Sequence, residues 1–77
     1  KSDNYGTLIN LANSYLEKGN LKETTAEEQK NLYLKSTVML EKAHKLKPEE
    51  KAIVNTLVSL FDFLGMKEKA EEMKAKM

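Results

Sequence analysis

Apolar residues recur along this chain at three- and four-residue intervals, the mark of amphipathic helices, in four runs divided by Gly, Pro and polar connections. The densest run spans residues 48–65. Within it Ala52, Ile53, Val54, Leu57, Val58, Leu60, Phe61, Phe63 and Leu64 cover well over half of a helix circumference. A helix that apolar needs cover on two sides, and the chain has one run before it and one after it to supply that cover. Pro48 suits a first helical turn because it lacks an N–H, and Glu49 and Glu50 would sit at the positive end of the helix dipole. Gly65 marks the far end.

The first run, residues 5–18, puts Leu8, Ile9, Leu11, Ala12, Tyr15 and Leu16 on one face. Ser2 or Asp3 is placed to cap it, and Gly19-Asn20 to close it in the left-handed conformation those residue types tolerate. Leu21 falls off that face, so residues 21–24 read as a polar connection. Thr25-Ala26-Glu27-Glu28 then forms a capping box, in which a hydroxyl and a carboxylate reciprocally pair the first free amides of a helix. The helix it starts runs to about Leu46, about 21 residues or roughly 32 Å. Its expected core stripe is Leu32, Tyr33, Ser36, Met39, Leu40, Ala43 and Leu46, and Lys42, Lys45 and Lys47 crowd its last turn, where cations complement the dipole. After Gly65, Met66, Ala70, Met73 and Met77 align on one face of a short last helix.

Length narrows this picture to one domain over 1–77. A chain of 77 residues buries only about 60% of the surface it exposes when unfolded, so its stability depends on regular packing. Without cysteine, disulfides and thiolate metal sites are excluded. No run approaches the roughly 18 apolar residues of a membrane span, and no signal-peptide pattern is present. The expectation is a soluble chain, cytoplasmic or, if a targeting segment preceded Lys1, periplasmic. Thirteen Lys face 12 acids for a net charge of +1, with no Arg. Phosphate is usually gripped by Arg forks, so nucleic-acid binding is disfavoured.

The first and third runs repeat one another. Leu8, Leu11, Ala12, Tyr15 and Gly19 match Val54, Leu57, Val58, Phe61 and Gly65 at an offset of 46 residues, and Ser36 and Met39 match Ala70 and Met73 at 34. The difference is an insertion near residues 20–31. A repeated helix–Gly–helix unit that cannot bury its own face belongs to a helical solenoid. In these positions, and in Ser36-x3-Leu40-x2-Ala43-x4-Pro48, the chain resembles the tetratricopeptide repeat (TPR) family. The resemblance implies an all-α fold of about four helices, with antiparallel pairs stacked as an α-solenoid. Residues 5–47 would form a first repeat and 48–77 a second one, itself open to truncation. Val58 is larger than the small residue usual at its position, and Lys74 stands where an aromatic is common. The long second helix is similar to those of bacterial tetratricopeptide proteins, some of them exported.

The same resemblance implies function. First helices of successive repeats line a concave groove that binds a protein or peptide partner. Carried onto this chain, the groove would present Ile9, Asn13, Leu16 and Glu17 from the first helix, and Asn55, Ser59, Asp62 and Phe63 from the third. Some relatives clamp a C-terminal carboxylate with a Lys and an Asn one turn apart. Here Asn13 matches the Asn but Ile9 holds the Lys position, so no such clamp is expected. Leu34 and Val38 lie one turn apart on the side of the second helix opposite Leu32, Ser36 and Ala43. As an apolar pair they are explained by a cover from Leu21, by copies of themselves in a homodimer, or by plain surface exposure.

Other chemistry is thin. His44 is the sole histidine, reads as a surface residue at the helix rim, and has no sequence-placed partner for catalysis. There is no phosphate loop, no paired catalytic carboxylates and no His-x3-His spacing, so no enzyme, cofactor or metal is expected. Lys42, Lys45, Lys47 and Lys51 could draw an acidic partner, though the helix dipole explains most of them. Met66, Met73 and Met77 read as a buried face rather than an adaptable binding surface. The leading function is therefore a non-catalytic interaction module. The alternative is a structural, terminal or self-associating segment of a longer helical-repeat protein.

Overall fold

Local capping chemistry sets several of the helix boundaries in the computed structural model, which describes residues 4–76. The helices are α1 (Tyr5–Gly19), α2 (Ala26–Leu46), α3 (Lys51–Leu64) and α4 (Lys67–Lys74), and no strand occurs among the described residues. The fold is all-α. Asn4 caps α1: its Oδ1 accepts from the backbone N–H of Gly6 at 2.8 Å and of Thr7 at 3.4 Å. The expected caps Ser2 and Asp3, like Met77, lie outside the described residues. The capping box at α2 forms as the sequence predicts, with Glu28 N–H donating to Thr25 Oγ1 and Thr25 N–H to Glu28 Oε1.

Two helix ends differ from expectation. Gly19-Asn20 is not left-handed: Asn20 has φ −92° and ψ 0°, and Gly65 is the only described residue with positive φ, at 77°. Gly19 is instead required for space, because a Cβ there would lie 2.8 Å from Tyr33 Cε1. The connection folds back on this contact. Gln29 Nε2 donates to Gly19 O at 2.9 Å, Tyr33 Oη donates to Asn20 Oδ1, and Thr24 Oγ1 donates to Lys18 O at 2.6 Å. Pro48 also lies outside its expected helix. It occupies the second position of a turn closed by Glu50 N–H to Lys47 O at 3.1 Å, a position its fixed φ favours. Lys47, before the proline, leaves helical geometry (φ −137°, ψ 77°) and so ends α2. Glu50 then caps α3 without a side-chain bond. Gly65 behaves as predicted. Its N–H reaches Asp62 O, and that of Met66 reaches Phe61 O, which is a Schellman ending.

Successive helices pack antiparallel. Gly19 meets Gln29 and Tyr33, Ala12 meets Ser36, and Leu8 meets the Lys42–Lys45–Leu46 end of α2. Close backbone approach joins α1 to α2, α2 to α3 and α3 to α4, and is absent between α1 and α3 and between α2 and α4. The described chain measures 35 × 31 × 14 Å, its thin dimension matching two helix layers at the usual spacing of about 8–10 Å. As its pattern requires, α3 is covered by α2 and α4: Val54, Leu57 and Phe61 are almost wholly buried. The α1–α2 crossing is tight because its residues are small. Ala12 and Ser36 are both inaccessible, and Ser36 Oγ donates to Ala12 O at 3.2 Å.

The repeat equivalence weakens where neighbours differ. Leu57, inside, is fully buried, whereas its match Leu11 is 41% exposed, since α1 has a packing neighbour on one side only among the described residues. Leu46 is likewise exposed, although it belonged to the predicted stripe of α2. In its place α2 buries two polar residues, Thr37 and His44. Thr37 Oγ1 is satisfied by Leu34 O at 2.6 Å. His44, expected at the surface, retains only 9% of its accessibility and lines a hollow that Lys69 and Met73 of α4 share. Its Nδ1 has no hydrogen-bond partner among the described residues. Leu21 lies near Leu32 and Lys35 and stays 58% exposed. It leaves Leu34 and Val38 uncovered, so the Leu21 cover, one of the three readings of that pair, does not form.

Two substitutions test this packing. Ala70 is 1% exposed, so Ala70→Leu overpacks the α3–α4 contact and should cost about 1–3 kcal/mol in a denaturant titration; an unchanged midpoint would show that the contact is slack. A buried polar atom without a partner costs on the order of 1–3 kcal/mol. His44→Leu, which removes the unpaired nitrogen at similar volume, should therefore leave stability unchanged or raise it. A clear loss would show that Nδ1 is bonded after all.

Candidate functional site: the groove between α1 and α3

Both α1 and α3 run antiparallel to α2, so they lie parallel to one another with their N-terminal halves side by side. Their backbones do not approach closely, and the space between them is a hollow of about 390 Å³. Leu40 of α2 contributes to its wall, together with Ile9, Ala52 and Ile53. Polar groups frame the apolar part: Tyr5, Asn10 and Asn13 from α1, and Glu50 and Thr56 from the α3 side. Gly6 adds no side chain to this wall.

The side chains of Tyr5, Asn10 and Asn13 make no hydrogen bond to the described residues. They therefore offer free donors and acceptors along one wall. Thr56 is committed in part, its Oγ1 donating to Ala52 O at 3.0 Å. Burial first, and then the carboxylates of Glu50 and Glu49, hold the Tyr5 phenol above its ordinary value of 10.0. It remains a hydrogen-bond donor well beyond neutral pH. The Lys47 ammonium lies 4.7 Å from the centre of the Tyr5 ring, a cation–π contact. Tyr5 and Glu50 line one end of the hollow, and Lys47 and Glu49 stand near Tyr5.

Of the residues the resemblance assigned to a groove, the structure brings Ile9 and Asn13 together in this hollow. Leu16 is half-buried against the core, and Glu17 is exposed. Asn55, Ser59 and Asp62 are exposed outside the hollow, whose α3 face is Ala52, Ile53 and Thr56 instead. Thr56 follows Asn55 by one residue, about 100° around the helix. Phe63 is 57% exposed and sets its ring edge-on to Tyr33, with 5.0 Å between centroids. It belongs with Leu16, Glu17 and Ser59 to the C-terminal halves of α1 and α3, beyond the hollow.

The sequence reading assigned only Ile9 and Asn13 of this lining to a groove; the polar or aromatic residues it missed are Tyr5, Asn10, Glu50 and Thr56, and the apolar ones Leu40, Ala52 and Ile53. Asn10 carried a signal: a polar side chain one turn before Asn13 with no local capping role. Among the described residues no three His, Asp or Glu side chains gather as a metal set, and no helix is long and apolar enough to cross a membrane. Set against protein-family models, curated proteins and solved structures, the chain finds no match in any of the three.

Proposed function

We propose that this chain is a non-catalytic interaction module of tetratricopeptide type, taking a peptide segment of a partner protein in the groove between α1 and α3. One observation carries this reading. The first helices of the two hairpins hold open a hollow whose wall joins apolar surface to three side chains with unused hydrogen-bonding capacity. A hollow of about 390 Å³ takes a few side chains of an extended or helical segment and is too small for a folded domain. Amide side chains suit this role because each offers both a donor and an acceptor to a passing backbone. Phe63, exposed on the continuation of the same face, serves as the apolar anchor.

Chemical-shift mapping with a peptide library tests the reading. Peptides that bind should perturb Ile9, Asn13 and Thr56. Asn13→Ala should weaken binding by about 0.5–1.5 kcal/mol, the worth of one hydrogen bond, and Phe63→Ala should weaken it more than Asn55→Ala. A bound peptide that leaves Tyr5, Asn13 and Thr56 undisturbed would sink the groove. If no peptide binds and the solution mass is that of a dimer, the structural, self-associating reading takes its place.

A further inference from the structure

On the opposite pair of helices, α2 and α4, lies a second hollow of about 500 Å³ that shares no residue with the groove. Its charge is one-sided. Lys42 and Lys45 reach it from α2, and Lys69 and Lys76 from α4 and the turn that follows. Among the described residues the one carboxylate on its wall, Glu41, is already paired with Lys69 at 3.4 Å. With that pair set aside, Lys42, Lys45 and Lys76 remain, three lysines lining one hollow in a chain whose net charge is only +1.

The helix dipole explains only part of this set. It accounts for Lys45, in the last turn of α2, and for Lys76, next to the C-cap of α4, where partial negative charge attracts a cation. It disfavours Lys69, the third residue of α4, where the helix end is positive. The hollow also has apolar surface. Val38 is 47% exposed at its wall, Leu34 lies one turn before it and is 36% exposed, and Met73 lies buried behind. Leu34, Val38, Lys42 and Lys45 follow one another along a single face of α2.

From this we infer that the α2–α4 face is a second docking surface, and that its partner is an acidic protein segment carrying an apolar side chain. Carboxylates of the segment pair with Lys42, Lys45 and Lys76, and the apolar side chain covers Val38 and Leu34. Charge selects this occupant over the other two. A second copy of the chain, related by a twofold axis, would set these lysines against themselves. A nucleic acid would meet no arginine fork anywhere in the chain.

The test is a titration of the folded chain with a Glu-rich peptide bearing one Leu, followed by amide shifts and calorimetry at low and at physiological salt. Shifts should cluster on Val38, Lys42, Lys45 and Lys76, and added salt should weaken binding. The Lys42→Glu, Lys45→Glu double variant should bind about tenfold more weakly, two attractions having become repulsions. Lys22→Glu, a reversal of the same sign away from the hollow, should change little. Lys76→Glu lies beyond the last turn of α4 and keeps the test valid if the double variant unfolds. Absence of binding at low salt overturns the inference, and so does equal weakening by Lys22→Glu, which would mean nonspecific charge. Tighter binding of a single-stranded oligonucleotide at the same lysines overturns the choice of partner, and concentration-dependent dimerisation lost in Val38→Glu overturns it in favour of a second copy.

Discussion

Everything in this fold follows from the need to cover α3. Its apolar residues reach too far around the helix for one neighbour to shield, and a solvated α3 would expose Val54, Leu57 and Phe61 together. Each such side chain contributes about 1.5–3 kcal/mol when buried. In a chain this short, losing any one face of α3 would remove a large part of a net stability that is small to begin with. Cover comes from α2 on one side and α4 on the other. The helix α1 then has no place on α3 itself and packs on α2, where Ala12 and Ser36 let the backbones close.

That arrangement explains why the molecule has two faces of different character. Because α1 and α3 are both fixed by α2 rather than by one another, a gap is left between their N-terminal halves. Because α4 is only eight residues long and α2 has 21, the C-terminal end of α2 is partly roofed while Leu34 and Val38 remain bare. His44 lies at that end. It lines a hollow that Lys69 and Met73 of α4 share and has lost most of its solvent, with nothing opposite to bond its Nδ1.

Much of this was legible in the residues, and the failures have physical causes. The four helices, the Thr25 capping box and the Gly65 ending rest on local chemistry that short windows encode, and they formed where the pattern placed them. Gly19 was placed correctly for a reason only tertiary contact reveals: the space it leaves is filled by a ring 14 residues further on. The burial of His44 and Thr37, and the exposure of Leu11 and Leu46, depend on where neighbouring helices end. A periodicity count carries no information about that. The α3 side of the hollow was misplaced for a related reason. A groove carried over by resemblance fixes which helices face each other, while the rotation of each helix is set by its own packing, here by Ile53 and Val54 turning into the core.

The helix shared by both hollows limits how they can influence each other. Leu40 forms part of the groove wall while Val38 and Lys42, two residues to either side, look onto the basic side, so the width of α2 separates the two surfaces. Coupling between sites requires an element with two arrangements of comparable free energy. The middle of α2 is instead clamped: Ser36 is bonded to the α1 backbone, Thr37 to its own helix, and Leu40 and Ala43 are buried. A close-packed core of this kind resists continuous deformation. Two partners on these faces would therefore be brought together by α2 as a rigid spacer, each binding with an affinity indifferent to the other.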